Sequence, residues 1–165
     1  MIKKKICTLG VFAVGKTSLV QRFVKSMFSE KYLTTVGVKI DKKTIEVKGK
    51  IVELMLWDLQ GEDEFQKLNA TYLRGASGYF LVVDVTRAST LDGALRLKEK
   101  VDDTLGNVPF LVLLNKVDLF DQWELDHTKL KELEDAGWPI MKTSAKTGKG
   151  VEDAFLALAL AMLEG

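Results

Sequence analysis

The chain has 165 residues, 47% of them hydrophobic and 28% charged, a balance that predicts one globular domain over residues 1–165 and excludes a disordered or fibrous chain. Its 24 basic and 23 acidic side chains leave a formal net charge of +1, so no overall field draws in nucleic acid or an anionic membrane. No apolar run is long enough to span a bilayer. The single cysteine, Cys7, sits in an apolar run and cannot close an internal disulfide, which places the chain in a reducing, cytoplasmic compartment.

Met1-Ile2-Lys3-Lys4-Lys5 lacks the apolar core of a signal peptide, and Ile2 stands where N-myristoylation requires glycine. With no cysteine near the C-terminus to prenylate, no intrinsic membrane anchor is expected. Lys3-Lys4-Lys5 and Lys42-Lys43 read as solvated strand ends.

Short apolar runs alternate with longer helical periodicities, without internal repeats or low-complexity tracts. Lys5 to Leu9 predicts a strand, followed by a glycine-containing turn and a helix from about Lys16 to Met27. Strands at about Lys39 to Val47 and Ile51 to Trp57 flank Gly49 as an antiparallel hairpin. The uninterrupted apolar runs Tyr79 to Val83 and Phe110 to Leu114 predict strands buried on both faces, as in the centre of a parallel sheet. Helices at about Ala88 to Leu105, Glu124 to Ala136 and Val151 to Leu163 are available to cover both faces, with a last short strand near Pro139 to Met141. Such a sheet binds ligands beyond the carboxyl ends of its strands.

Directly after the first strand comes Gly10-Val11-Phe12-Ala13-Val14-Gly15-Lys16-Thr17, which fits G-x-x-x-x-G-K-[ST] and opens the first helix. Glycines let the backbone wrap a polyphosphate with its N–H groups, and the helix N-terminus favours negative charge. Lys16 would reach the β and γ phosphates and the Thr17 hydroxyl would coordinate Mg²⁺. Ala13, Val14, Gly15, Lys16, Thr17 and Ser18 are the candidate phosphate-site residues. The motif alone does not choose between ATP and GTP, or between a kinase and a switch.

Asn115-Lys116-Val117-Asp118 supplies the choice of base, because it follows the buried strand ending at Leu114. The Asp118 carboxylate can accept hydrogen bonds from guanine N1–H and its exocyclic amine, a donor pair that adenine does not present. Thr143-Ser144-Ala145-Lys146 follows the last strand, where the Ala145 backbone N–H would meet guanine O6.

Taken in order, Gly10 to Thr17, Thr35, Asp58 to Gly61, Asn115 to Asp118 and Ser144 to Lys146 resemble the five G boxes of Ras-superfamily GTPases. The resemblance covers essentially the whole chain. Val36-Gly37-Val38 and Tyr72-Leu73-Arg74-Gly75-Ala76 look most like the Rab branch. It implies an α/β P-loop G domain, whose six-stranded, mostly parallel sheet has one antiparallel strand and helices on both faces. It further implies GTP/GDP with Mg²⁺ as cofactors, Thr17, Thr35 and Asp58 at the metal, Phe28 against the guanine ring and Tyr32 over the phosphates. Asn115, Lys116, Ser144 and Lys146 join Asp118 and Ala145 as base-loop residues. In the family, the Gly61 N–H senses the γ-phosphate, and loss of that phosphate releases the loop that carries Thr35.

Two positions depart from that pattern. Glu62 stands where the family usually has a glutamine that orients the attacking water, so Glu62, Lys16 and Gly61 are the candidate catalytic residues. Ionised, Glu62 would accept a hydrogen bond from water but repel the γ-phosphate; protonated, it would mimic the missing amide. Phe12 occupies a position usually held by a small residue, where its ring would obstruct an arginine finger or pack onto the second switch.

The leading reading is a monomeric GTP-hydrolysing switch. It binds effector and regulator proteins through Thr35 to Lys39 and Asp58 to Gly75, with Leu59, Phe65, Leu68 and Leu73 as candidate surface residues. The alternatives are a non-hydrolysing guanine-nucleotide platform and, more distantly, a nucleotide kinase, against which Asn115 to Asp118 argues. The missing lipidation site leans toward a prokaryotic relative of Rab.

Overall fold

The computed structural model describes residues 1–11, 13–24, 30–33, 38–59 and 70–164, with only the backbone described at 30–33, 59 and 70. Its strands are β1 (Ile2–Leu9), β2 (Glu30–Leu33), β3 (Val38–Val47), β4 (Lys50–Leu59), β5 (Gly78–Asp84), β6 (Phe110–Asn115) and β7 (Ile140–Lys142). Its helices are α1 (Lys16–Val24), α2 (Ala70–Leu73), α3 (Ser89–Leu105), α4 (His127–Asp135) and α5 (Val151–Glu164), with a 3₁₀ segment at Val117–Gln122.

The strands form one sheet in the order β2-β3-β4-β1-β5-β6-β7. β4, β1, β5, β6 and β7 pair in parallel, whereas β3 runs antiparallel to both β2 and β4. The expected six strands and the one reversed strand are therefore present. β2 is an additional four-residue strand on the edge, too short to show a periodicity of its own and held by its pairing with β3.

The hairpin β3–β4 turns at Lys48 and Gly49, whose φ angles of 50° and 77° are both positive, as a two-residue type I′ turn requires. Alternate residues of the strands feed two apolar layers. One holds Ile6, Leu54, Leu56, Phe80, Val82 and Leu113 under α1 and α5, where the Phe23 and Phe155 rings stack at 3.9 Å. The other holds Leu9, Leu81, Val83 and Leu114 with Tyr72 and Leu73 of α2, Leu91, Leu97 and Val101 of α3, and Leu130 of α4. Helices thus cover both faces. Cys7 is fully buried in the second layer, and burial pushes its thiol up to about 12. No helix among the described residues is long and apolar enough to cross a membrane.

Three expectations need correction. Lys5 and Lys43 are buried rather than solvated. The Lys5 Nζ donates to Tyr72 O at 2.6 Å and Arg74 O at 2.8 Å and lies 3.5 Å from the centre of a Trp57 ring, so its charge is met by carbonyl oxygens and an aromatic face. The Lys43 Nζ likewise donates to Phe23 O, near the end of α1, and lies over the Phe23 ring. Leu73 is a core residue at 1% exposure and offers no partner surface. Finally, α4 begins at His127, not Glu124: the Glu124 N–H is spent on Val85 O at 2.7 Å, and the Asp126 carboxylate caps the helix by accepting from Thr128 N.

Candidate nucleotide site

The carboxyl ends of β1, β5, β6 and β7 converge on the loops that carry the predicted motifs. In the loop after β1, Ala13 holds a left-handed φ of 64°, an uncommon conformation for a residue with a side chain and one that re-aims its carbonyl. Gly15 has φ 100°, and a Cβ there would lie 2.3 Å from the Asn115 Nδ2. Only glycine lets the loop approach Asn115 this closely. Gly10 is as tightly held, since a Cβ would meet Val82 O at 2.7 Å.

Lys16 opens α1 and is 6% exposed, while Thr17 and Ser18 are exposed on the first turn and Val14 is fully buried. The Thr17 hydroxyl donates to Asp58 Oδ2, which arrives from the end of β4. Asp58 is 1% exposed, and its other oxygen, Oδ1, is buried with no hydrogen-bond partner among the described residues. Burial raises its pKa, against the Thr17 hydrogen bond and the charges of Lys16 and Lys39, and the nearby Asp41 charge adds to the rise.

An orphaned carboxylate oxygen beside a threonine hydroxyl fits a hard divalent cation, which takes oxygen ligands. Among the described residues no group of three or more His, Cys, Asp or Glu side chains could hold a metal without further ligands. The chemistry of this donor set therefore suits a cation completed by phosphate oxygens and water, as Mg²⁺ commonly is.

The base loops are fastened to the phosphate loop by side chains. The buried Asn115 amide donates to Val14 O at 2.9 Å, and its Oδ1 accepts from Thr143 Oγ1 at 3.2 Å and Ala145 N at 3.3 Å. The Ala145 N–H, expected to point at guanine O6, thus makes a long bond within the protein in this arrangement. The Lys116 Nζ donates to Ala13 O at 3.0 Å and pairs with Asp84 Oδ2 at 2.9 Å; Lys116 itself adopts a left-handed φ of 69°. Asp118 Oδ1 accepts from the buried Ser144 hydroxyl at 2.7 Å, which orients its carboxylate. Lys146 is exposed at the rim.

Phe12, Phe28, Thr35, Gly61, Glu62, Phe65 and Leu68 lie outside the described residues, as do the Tyr32 and Leu59 side chains and the predicted last turn of the first helix.

Sequence reasoning missed Asp84. At 1% exposure it accepts from Thr86 N, Thr86 Oγ1, Arg87 Nε and Lys116 Nζ. Burial pushes its carboxyl up, but these hydrogen bonds together outweigh burial and hold it down at about 2. The available signal was a lone carboxylate ending a wholly apolar strand. Through Lys116 and Ala13, Asp84 braces the base loop against the phosphate loop.

This arrangement can grip a polyphosphate at one end and a purine at the other, with the distance between them set by Asn115 and Lys116. The model of the Ras family matches residues 5–164, nearly the whole chain, and the chain belongs to the Ras family of guanine-nucleotide-binding GTPases.

Proposed function

We propose that the protein is a Rab-like switch that binds GTP or GDP with Mg²⁺, hydrolyses GTP slowly to GDP and phosphate, and engages partner proteins through the segments around Thr35 and Gly61. The observation that carries this reading is the double fastening of the phosphate loop to the guanine loop, Asn115 to Val14 O and Lys116 to Ala13 O. A generic phosphate-binding loop has no need of it, whereas a site for one nucleotide of fixed length does.

The backbone N–H groups of Ala13 to Ser18 and the start of α1 would hold the phosphates. Lys16, buried at the head of α1, supplies a fixed positive charge where charge develops during transfer. Thr17, Thr35 and Asp58 would hold Mg²⁺, which would supply positive charge to the phosphates. Asp118, oriented by Ser144, selects guanine, and Ala145 and Lys146 line the base. By the family pattern, Phe28 and Tyr32 would line the nucleotide, Gly61 would read the γ-phosphate, and Glu62 would orient the water that attacks phosphorus. A carboxylate is a poorer orienting group than an amide beside phosphate charge, which makes the hydrolysis slow.

A single-turnover experiment tests this: purified protein is loaded with GTP and Mg²⁺, and bound GTP and GDP are followed over time. Conversion to GDP is expected. Bound GTP that stays intact would refute hydrolysis and leave a nucleotide-binding platform, and Glu62→Gln would then be expected to restore turnover.

A further inference from the structure

One face of β3 carries charge into an otherwise apolar layer. Residues 39, 41, 43, 45 and 47 share a face by strand alternation, and Val47 and Ile45 belong to the layer beneath α1 and α5. Lys43 on this row is accounted for by Phe23. Asp41 is 0% exposed. Lys39, half-buried, stands directly opposite Asp58 in the β3–β4 ladder. Opposed residues of an antiparallel ladder project to the same face with Cβ atoms about 5 Å apart.

Lys39 therefore rises beside the carboxylate that the metal would use, with Asp41 two residues along the same face. The charges of Lys16, Lys39 and Asp41 all act on Asp58.

A cation at this position has two opposite effects. It repels an incoming divalent ion and so weakens the site's hold on it. When that ion is absent, it keeps the Asp58 charge compensated, so the carboxylate repels the nucleotide phosphates less.

We propose that Lys39 is a built-in counter-charge of the metal site, one that loosens divalent-cation binding and lets the protein retain guanine nucleotide when the cation is scarce. The proposal rests on the guanine-nucleotide reading above. It assigns Lys39 a positioning role toward Asp58 rather than contact with a partner protein.

The test follows release of a fluorescent GDP analogue from the purified protein over free Mg²⁺ concentrations down to excess EDTA. Binding of Mn²⁺ to the GDP-loaded protein, read by electron paramagnetic resonance, is the second readout. Lys39→Ala is expected to speed release in EDTA on the order of tenfold and to tighten Mn²⁺ by a similar factor, the scale of one unit charge acting over several ångströms. Lys39→Arg, which keeps the charge, is expected to follow the wild type. Unchanged metal dependence in Lys39→Ala overturns the proposal. So does release accelerated equally at saturating and at zero Mg²⁺, which a merely structural lysine would give. If the wild type retained no GDP at any Mg²⁺ concentration, the nucleotide reading itself would fall, and the role of Lys39 with it.

Discussion

Gly93 lies in the interior of α3 and faces Val11, the second residue of the phosphate loop. A methyl group added at Gly93 would sit 2.3 Å from Val11 Cγ1, with the other Val11 carbons at 3.6 and 3.8 Å. Ordinary carbon contacts lie at about 3.5–4.0 Å, so loop and helix would have to separate by more than ~1 Å at this one point. In an open helix interior, Gly→Ala gains about 1 kcal/mol, whereas forcing a methyl into a packed seam costs about 1–3 kcal/mol. Gly93→Ala should therefore be neutral to destabilising by about 2 kcal/mol. With Val11→Ala in the background the obstruction is gone, and the same change should stabilise by about 1 kcal/mol, a coupling of about 1–3 kcal/mol. Urea unfolding of the four proteins of this cycle, over a series of GDP concentrations so that the ligand linkage of each is determined and subtracted, measures it. Because Val11 belongs to the phosphate loop, Gly93→Ala alone should also speed GDP release. A Gly93→Ala protein stabilised equally with Val11 and with Ala at position 11 would refute the steric argument.

Two further perturbations address the buried charges. The Asp84 carboxyl, held at about 2 in the folded protein against 3.8 as the ordinary value, contributes stability that is complete above about pH 5 and is lost as pH falls toward 2; Asp84→Asn should flatten that limb of the melting-temperature profile, and an unchanged acid limb would refute its role. Lys5→Met keeps the aliphatic stem but removes the donor to Tyr72 O and Arg74 O, and leaving these carbonyls unmet should cost about 1–3 kcal/mol in urea unfolding. A change below about 0.5 kcal/mol, the range of ordinary surface substitutions, would show that water replaces the ammonium at no cost.

The parts legible in the sequence are those decided locally. Tyr79 to Val83 and Phe110 to Leu114 are apolar without a break, and only a strand covered on both faces uses such a run. The motif from Gly10 to Thr17 carries its own strand-to-helix setting, and Asn115 to Asp118 ends a strand whose place in the sheet follows from the alternation. What stayed hidden was decided by register and tertiary approach. A lysine such as Lys5 or Lys43 reads as solvated until the carbonyls of Tyr72 or Phe23, 67 or 20 residues away in the chain, come to meet it. Asp84 reads as an ordinary strand end until Lys116 reaches across from the neighbouring strand's loop. The role of Lys39 requires the β3–β4 register, because a shift of one residue would turn it to the opposite face from Asp58.

The end of β4 shows how one strand serves two sides of the sheet. Successive strand residues project to opposite faces, so Asp58 lies with Thr17 on the α1 side while Trp57 lies with Tyr72 and Lys5 on the α2 side. The Tyr72 hydroxyl donates to Trp57 O at 2.8 Å, and Lys5 ties the carbonyls of Tyr72 and Arg74 down over the Trp57 ring. The group proposed to hold the metal and the residue that anchors α2 are thus adjacent in sequence and on opposite faces. One peptide unit and the Tyr72–Trp57 hydrogen bond separate the β4 backbone at Asp58 from α2. β3 repeats the division: Lys39 and Asp41 stand on the α1 side, and Val38 and Ile40 on the other, packed in the layer that holds Trp57 and Tyr72. The charged side chains Asp58, Lys39 and Asp41 lie on one face of these two strand ends, and apolar side chains packed toward α2 lie on the other. Strand alternation sets the two groups on adjacent residues and opposite faces, and the Tyr72 hydroxyl and the Lys5 ammonium hold the α2 side to that strand end.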